Sequence, residues 1–380
     1  MIPYGKQDIS DSDIQAVVEV LKSDFLTQGP KVPEFETLVA EYCSSEFAVA
    51  VNSATSALHI ACLALGVGEG DYVWTSPNSF VASSNCAIYC GAKVNFVDID
   101  IETGNMSVAS LRERLVHAKE HHTLPKVVIP VHFAGQSCDM SEIAELAAQY
   151  GFKIIEDASH AIGAKYQKNA VGNCQFSDIC IFSFHPVKII TSAEGGILTT
   201  QSSDLAKKLK KLRSHGITNL SEDLEHAEQG PWYYEQQSLG FNYRMTDIQA
   251  ALGVSQMERL DQFVTKRNQL VSLYNKYLPK GLVHLVQSPD CYSSYHLYVA
   301  QLKEPSKRKF IVTKLREIGI LAHVHYIPIH LQPYYRNLGF SAGDFPNAEA
   351  YYSSAITLPL HPNLTEQDII FITKSLRDLL

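Results

Sequence analysis

Between Ala48 and about Tyr150 the chain alternates short β-rich runs with helical ones, and few architectures accommodate that rhythm. The strand candidates are Ala48–Val51, Tyr72–Thr75, Lys93–Val97, Lys126–Val131 and Lys153–Glu156. Helical stretches at Thr55–Leu65, Phe80–Tyr89, Val108–Val116 and Met140–Tyr150 lie between them. Gly66 and Gly91 stand where two of these helices must stop, as a residue free to turn left-handed would. Strand–helix alternation builds a mostly parallel sheet with helices on both faces, so the expected fold class is α/β. In such sheets the ligand lies beyond the carboxyl ends of the strands.

After Asp157 the rhythm changes. Ile179–Phe184 and Gly196–Thr200 read as β-runs joined by a Lys-bearing connection, followed by a helix from about Asp204 to Ser214. Thr218–Gln237 reads as a loop, and one long helical pattern runs from about Thr246 to Tyr277. Tyr295–Leu302, Phe310–Ile318 and Leu321–Tyr326 then read as strand–helix–strand, with a closing helix at Thr365–Leu379. The 380 residues exceed the usual size of one domain. The expected division is a large domain over 1–255, with an N-terminal arm, and a smaller α/β domain over 256–380.

With 46% hydrophobic and 19% charged residues the chain can bury a sizeable core. Its net charge of −8 argues against nucleic-acid partners, which need a basic surface. The eight cysteines include no C-x-x-C pair, and several lie in apolar runs, so they are expected to be buried, reduced thiols. No metal site is expected. Met1–Asp11 carries no signal-peptide core, and no apolar stretch approaches the ~20 residues of a membrane span. The expectation is a cytoplasmic protein without a membrane partner.

Three segments could carry chemistry. Asn52–Leu58 is a strand end opening onto a helix with Ser53, Thr55 and Ser56, where free amides and hydroxyls suit an anion; the plain alternative is a helix cap. Asp157 closes the apolar run Ile154-Ile155-Glu156 and would point into the ligand crevice, unless it merely caps a turn. In Ile181–Lys188, Pro186 ends a strand and Lys188 sits between Val187 and Ile189-Ile190, ahead of Gly195-Gly196. Apolar surroundings lower a lysine's pKa and make it a nucleophile, although most lysines are solvated surface groups.

Taken in this order, the segments resemble the cofactor site of fold-type I (aspartate aminotransferase-like) pyridoxal 5'-phosphate enzymes. More narrowly, the chain is similar to the DegT/DnrJ/EryC1/StrS family of sugar aminotransferases. The matching runs are Leu26–Pro30, Asn52–Leu58, Ser79–Ala82, Asp157–Ala161, Ser183–Lys188, Ala193–Gly196 and Gly240–Ala251, with Ala322–Tyr326 and Leu358–His361 extending the likeness. Ser83-Ser84-Asn85, Ser159-His160-Ala161 and Arg213–Gly216 resemble the branch that aminates a UDP-linked 4-keto sugar on the route to pseudaminic acid.

The resemblance implies roles. Lys188 would bind the cofactor aldehyde as a Schiff base and shuttle protons, and Asp157 would face the pyridine nitrogen. Phe80 would stack on the ring and His160 would contact the ring hydroxyl, while a core aromatic and a turn histidine are the plainer readings. Thr55, Ser56 and Ser183 would hold the phosphate, with Asn242 reaching in from a partner subunit, so the protein is expected to be a homodimer. Thr27, Lys31, Arg213, His215, Arg244, His325 and Tyr326 are the candidates for the substrate. Glutamate is the implied amino donor and a UDP-4-keto sugar the acceptor. Dehydratase relatives resemble this pattern with histidine in place of Lys188, a regulatory relative would lack Lys188, Asp157 or Asn242, and no G-x-G-x-x-G supports a nicotinamide site.

Overall fold

The computed structural model describes residues 1–226 and 229–380. Its centre is a seven-stranded sheet in the order Phe47–Val51, Gly196–Thr200, Ile179–Ser183, Lys153–Asp157, Val127–Ile129, Tyr72–Thr75 and Lys93–Phe96. All neighbours pair in parallel except Gly196–Thr200, which runs antiparallel to both of its own. The α/β class expected from the alternation is therefore present.

Alternation along Ile179–Ser183 divides the interior. Ile179 and Ile181 pack with Leu58, Ala61 and Cys62 of the helix Ala54–Ala64, whereas Cys180 and Phe182 pack with Phe35, Val39 and Ala250 on the opposite face. Every residue of this strand is buried, which is why it reads as a continuous apolar run. The helices begin where side chains can satisfy free amides: Ser53 accepts from Ser56 N, and Thr246 forms a reciprocal capping box with Gln249.

A second, antiparallel sheet of Leu282–His284, Tyr298–Leu302 and Ala355–Leu358 packs against the helices Leu260–Tyr277, Arg308–Glu317 and Glu366–Leu379. The chain's first residues join this region: Ile2 and Pro3 pair in parallel with Ile320 and Leu321, and Tyr4 O accepts from Leu360 N. Among the described residues no helix is long and apolar enough to cross a membrane.

Three readings of local structure need correction. The long helix is two, Asp247–Met257 and Leu260–Tyr277, because Arg259 is drawn out to Asp8 and to the buried Asp13, both at 2.5 Å. The strand expected over Leu321–Tyr326 stops at Leu321, beyond which His323 makes only an isolated bridge to Thr357. The loop Thr218–Gln237, part of which lies outside the described residues, contains a short pairing of Ile217–Thr218 with Glu235–Gln236.

Candidate active site

The site lies at the carboxyl ends of the parallel strands. Asp157 ends its strand directly opposite Ile181 of the next, and Lys188 follows five residues after that strand closes at Ser183. Asp157 is buried and both its oxygens are engaged: Ser83 Oγ donates to Oδ2 and Ser159 Oγ to Oδ1, each at 2.5 Å. These donors fix the carboxylate in one orientation, aimed at whatever occupies the crevice.

Most of the Lys188 side chain is enclosed, and burial pushes its ammonium down to about 8, against the opposing attraction of Asp157. A lysine so placed holds a useful fraction of free amine near neutral pH. Three histidines surround the same position. His160 is pushed well down by burial and then by Lys188 and His325, His296 likewise, and His325 to about 3. All three are neutral, which leaves Lys188 the group that changes charge.

His160 is held between two rings. Its Nε2 lies 3.1 Å from the Tyr326 hydroxyl, with the two rings stacked at 19°, and the His296 ring sits 4.4 Å away on centroids. His160 Nδ1 is buried and has no partner among the described residues. A buried ring nitrogen without a partner is costly unless a ligand meets it. Phe80, at 60% exposure, is not a core aromatic; it stands at the mouth of the site, its ring 6.5 Å from that of Tyr326.

The anion cradle is built from backbone. Ser53 caps the helix Ala54–Ala64, and a Cβ at Gly196 would lie 2.6 Å from Ala54 N. Only glycine lets the strand approach that helix start so closely. Ser56 is tied in by its hydroxyl to Asn52 Oδ1 at 2.6 Å, beside Thr55, and Ser183 pairs with Gly196 across the strands. Free amides and a helix dipole at this point suit a phosphate. A phosphorylated pyridine aldehyde fits what surrounds it: a phosphate cradle, an oriented carboxylate, an exposed aromatic face, an unpartnered imidazole nitrogen and a free amine.

Other candidates are placed differently. Arg213 is committed to Glu36 at 2.5 Å and to Ala50 O at 2.7 Å, so it acts as a strut and is not free to bind a diphosphate. Lys31 pairs with Glu34 at the surface, and Thr27 is exposed and bridges Thr246. His325 bonds Thr357 Oγ1 at 2.9 Å beneath Tyr4. His215 adopts φ 61° in a turn. Arg244 is half-buried and Asn242 exposed on the strip that bridges back to Ser214. The sequence reading missed Ser83, Ser159 and His296 as site residues. Ser83, one turn beyond Phe80, offered a periodic signal; His296, inside an apolar run, offered none.

Comparison with known proteins identifies the family. The model of the DegT/DnrJ/EryC1/StrS aminotransferase family matches residues 7–377. The chain is 37% identical over 385 residues to the spore coat polysaccharide biosynthesis protein SpsC of Bacillus subtilis, covering 100% of this chain and 97% of that one. It is also 37% identical over 384 residues to the UDP-4-amino-4,6-dideoxy-N-acetyl-β-L-altrosamine transaminase of Campylobacter jejuni, covering 100% and 98%. Helicobacter pylori PseC, an aminotransferase involved in the biosynthesis of pseudoaminic acid, superposes with a TM-score of 0.91 at 32% identity, covering 100% and 98%. The architecture is that of the fold-type I pyridoxal-phosphate enzymes. A family match over residues 7–377, with relatives 37% identical across the whole chain, is decisive: this protein belongs to the DegT/DnrJ/EryC1/StrS family and is a pyridoxal 5'-phosphate-dependent sugar aminotransferase.

Proposed function

We propose that the protein moves an amino group from glutamate to the C4 keto group of a UDP-linked 2-acetamido-2,6-dideoxy-hexos-4-ulose. The product would be UDP-4-amino-4,6-dideoxy-N-acetyl-β-L-altrosamine. The observation that carries amino transfer is the enclosed amine of Lys188 beside the oriented carboxylate of Asp157. The likeness to the Campylobacter transaminase and to PseC, with the runs at Ser83–Asn85, Ser159–Ala161 and Arg213–Gly216, favours this sugar.

When bound, pyridoxal phosphate supplies an aldehyde that condenses with amines and a ring that accepts electrons. Thr55, Ser56 and Ser183 hold the phosphate at the helix start, and Asp157 holds a proton on the pyridine nitrogen. Phe80 covers one ring face, while His160, neutral and pinned by Tyr326, offers Nδ1 to the ring hydroxyl. Lys188 Nζ takes and returns the proton at the Cα of the amino substrate. Asn242 completes the phosphate site of a second copy, so the working unit is a homodimer. Arg244, His215 and Lys31 are assigned to the diphosphate with Thr27 beside them, and Tyr326 to the sugar, while the buried His325 backs the Tyr326 ring edge-on.

A coupled assay with glutamate and a panel of 4-keto UDP- and dTDP-sugars tests the substrate. Turnover with the β-L-arabino UDP sugar is the expected result. An inert β-L-arabino sugar, with another epimer or a dTDP sugar turning over, would refute this substrate and leave the family membership intact.

A further inference from the structure

One run that the sequence sets apart, Ser83-Ser84-Asn85, has all three side chains engaged, and in two different directions. The run lies in the first turn of the helix Ala82–Tyr89, just beyond Phe80. Ser83 Oγ donates to Asp157 Oδ2 and so takes a hydrogen from Ser79 Oγ, 2.7 Å away. Ser84 and Asn85 turn instead to one hydroxyl, that of Tyr335. Its proton goes to Asn85 Oδ1 at 2.6 Å, and its oxygen accepts from Ser84 Oγ at 2.6 Å. Tyr335 stands 250 residues beyond Asn85, in the short helix Pro333–Arg336, and is 2% exposed.

Tyr335 is itself a fixed point. Its ring meets Phe96 of the sheet's edge strand edge-on at 5.8 Å. To one side of it in the chain, Ile329 N donates to Pro77 O at 2.9 Å. To the other, Asn347 N and Ala348 N donate to the two oxygens of Asp98 at 2.9 and 3.0 Å. One partner would satisfy a buried tyrosine hydroxyl; this one has two, on consecutive residues of the helix that aims the acid. Neighbouring helical positions lie about 100° apart, so contacts from Ser83 on one side and from Ser84 and Asn85 on another fix the rotation of the helix. A turn of about 20° would move a side-chain hydroxyl by roughly 1 Å and carry the Ser83–Asp157 contact to the limit of hydrogen bonding.

We propose that Tyr335 is a positioning residue for the cofactor's acid: through Ser84 and Asn85 it sets the rotation of the helix Ala82–Tyr89, and with it the hydrogen bond by which Ser83 holds Asp157 toward the pyridine nitrogen. The proposal rests on the role given to Asp157 above. Phe80 is aligned by the same contact, because its carbonyl accepts from Ser83 N at 3.2 Å. Loss of the Tyr335 hydroxyl thus loosens the acid and the ring cover together.

The test follows the release of pyridoxal phosphate from the loaded enzyme by absorbance, and the ring-nitrogen NMR signal of isotopically labelled cofactor. Tyr335→Phe keeps the ring and removes the hydroxyl. It should release the cofactor about tenfold faster, the effect of one charge-assisted hydrogen bond weakened at the acid, and move the nitrogen signal toward its unprotonated position. Asp157→Asn and Ser83→Ala should each speed release as well. In a Ser83→Ala background Tyr335→Phe should add no more than about twofold and leave the nitrogen signal where it is, because residues acting in series do not sum. Asn85→Ala withdraws the hydroxyl's partner from the other side; it should reproduce Tyr335→Phe, and it carries the test if that variant does not fold. Unchanged release and signal in these two variants, or an effect that persists in full without Ser83, would overturn the proposal and leave Asp157 in its role. Normal release and signal in Asp157→Asn would instead remove the acid from the cofactor site, and the proposal with it.

Discussion

At the scale of single residues, Lys188 shows how burial changes the character of a common side chain. Burial lowers it to about 8, so the neutral amine gains tenfold per pH unit up to that point and then levels off. Apoenzyme mixed with pyridoxal phosphate and trapped with borohydride should therefore incorporate cofactor at Lys188 at a rate that rises to about pH 8 and flattens. Incorporation that keeps climbing toward the range of an exposed lysine would contradict the enclosure described above. The lysine and Asp157 were both legible in the sequence, because a charged residue closing an apolar run is conspicuous. Ser83 and Ser159 were not. A serine acquires meaning only when another strand delivers a carboxylate to its hydroxyl, as Asp157 is delivered to Ser83 across 74 residues of sequence. Arg213 illustrates the opposite error: an arginine in a suggestive run is satisfied by Glu36, a partner that no local pattern reveals.

At the scale of elements, the crevice is made by a strand and a helix start that touch. Gly196→Ala should force its new Cβ against Ala54 N, an overpacking that costs about 1–3 kcal/mol. Urea denaturation of the apoenzyme should show that loss, together with weaker pyridoxal-phosphate binding by fluorescence titration. Unchanged stability and affinity would mean that the cradle does not depend on this close approach. The parallel strands and their helices were legible because both periods are strong and glycines punctuate them. The division at Glu258–Arg259 was not, since Met257-Glu258-Arg259 suits a helix and is parted only by the pull of Asp8 and Asp13. The strand Ala355–Leu358, absent from the sequence reading, is four residues long and follows a helix without a break signal.

At the scale of the whole molecule, the proposed homodimer makes a sharp prediction about sharing. Lys188→Ala and Asn242→Ala would each disable every site in their own dimers. Unfolded together and refolded at equal amounts, they should recover about a quarter of native turnover, since half the dimers are mixed and each holds one intact site. No recovery, with mixed dimers confirmed by native mass spectrometry, would place all phosphate ligands on one chain. The opening segment bears on a different aspect of the whole. Its backbone is laced to Ile320 and Leu321, its Gly5 stands 3.5 Å (as a Cβ) from Val187, and its Asp8 is gripped by Arg259. A thread pinned at Ile320–Leu321 and again at Arg259 passes beside the turn that presents Lys188, so the chain's own beginning roofs that turn.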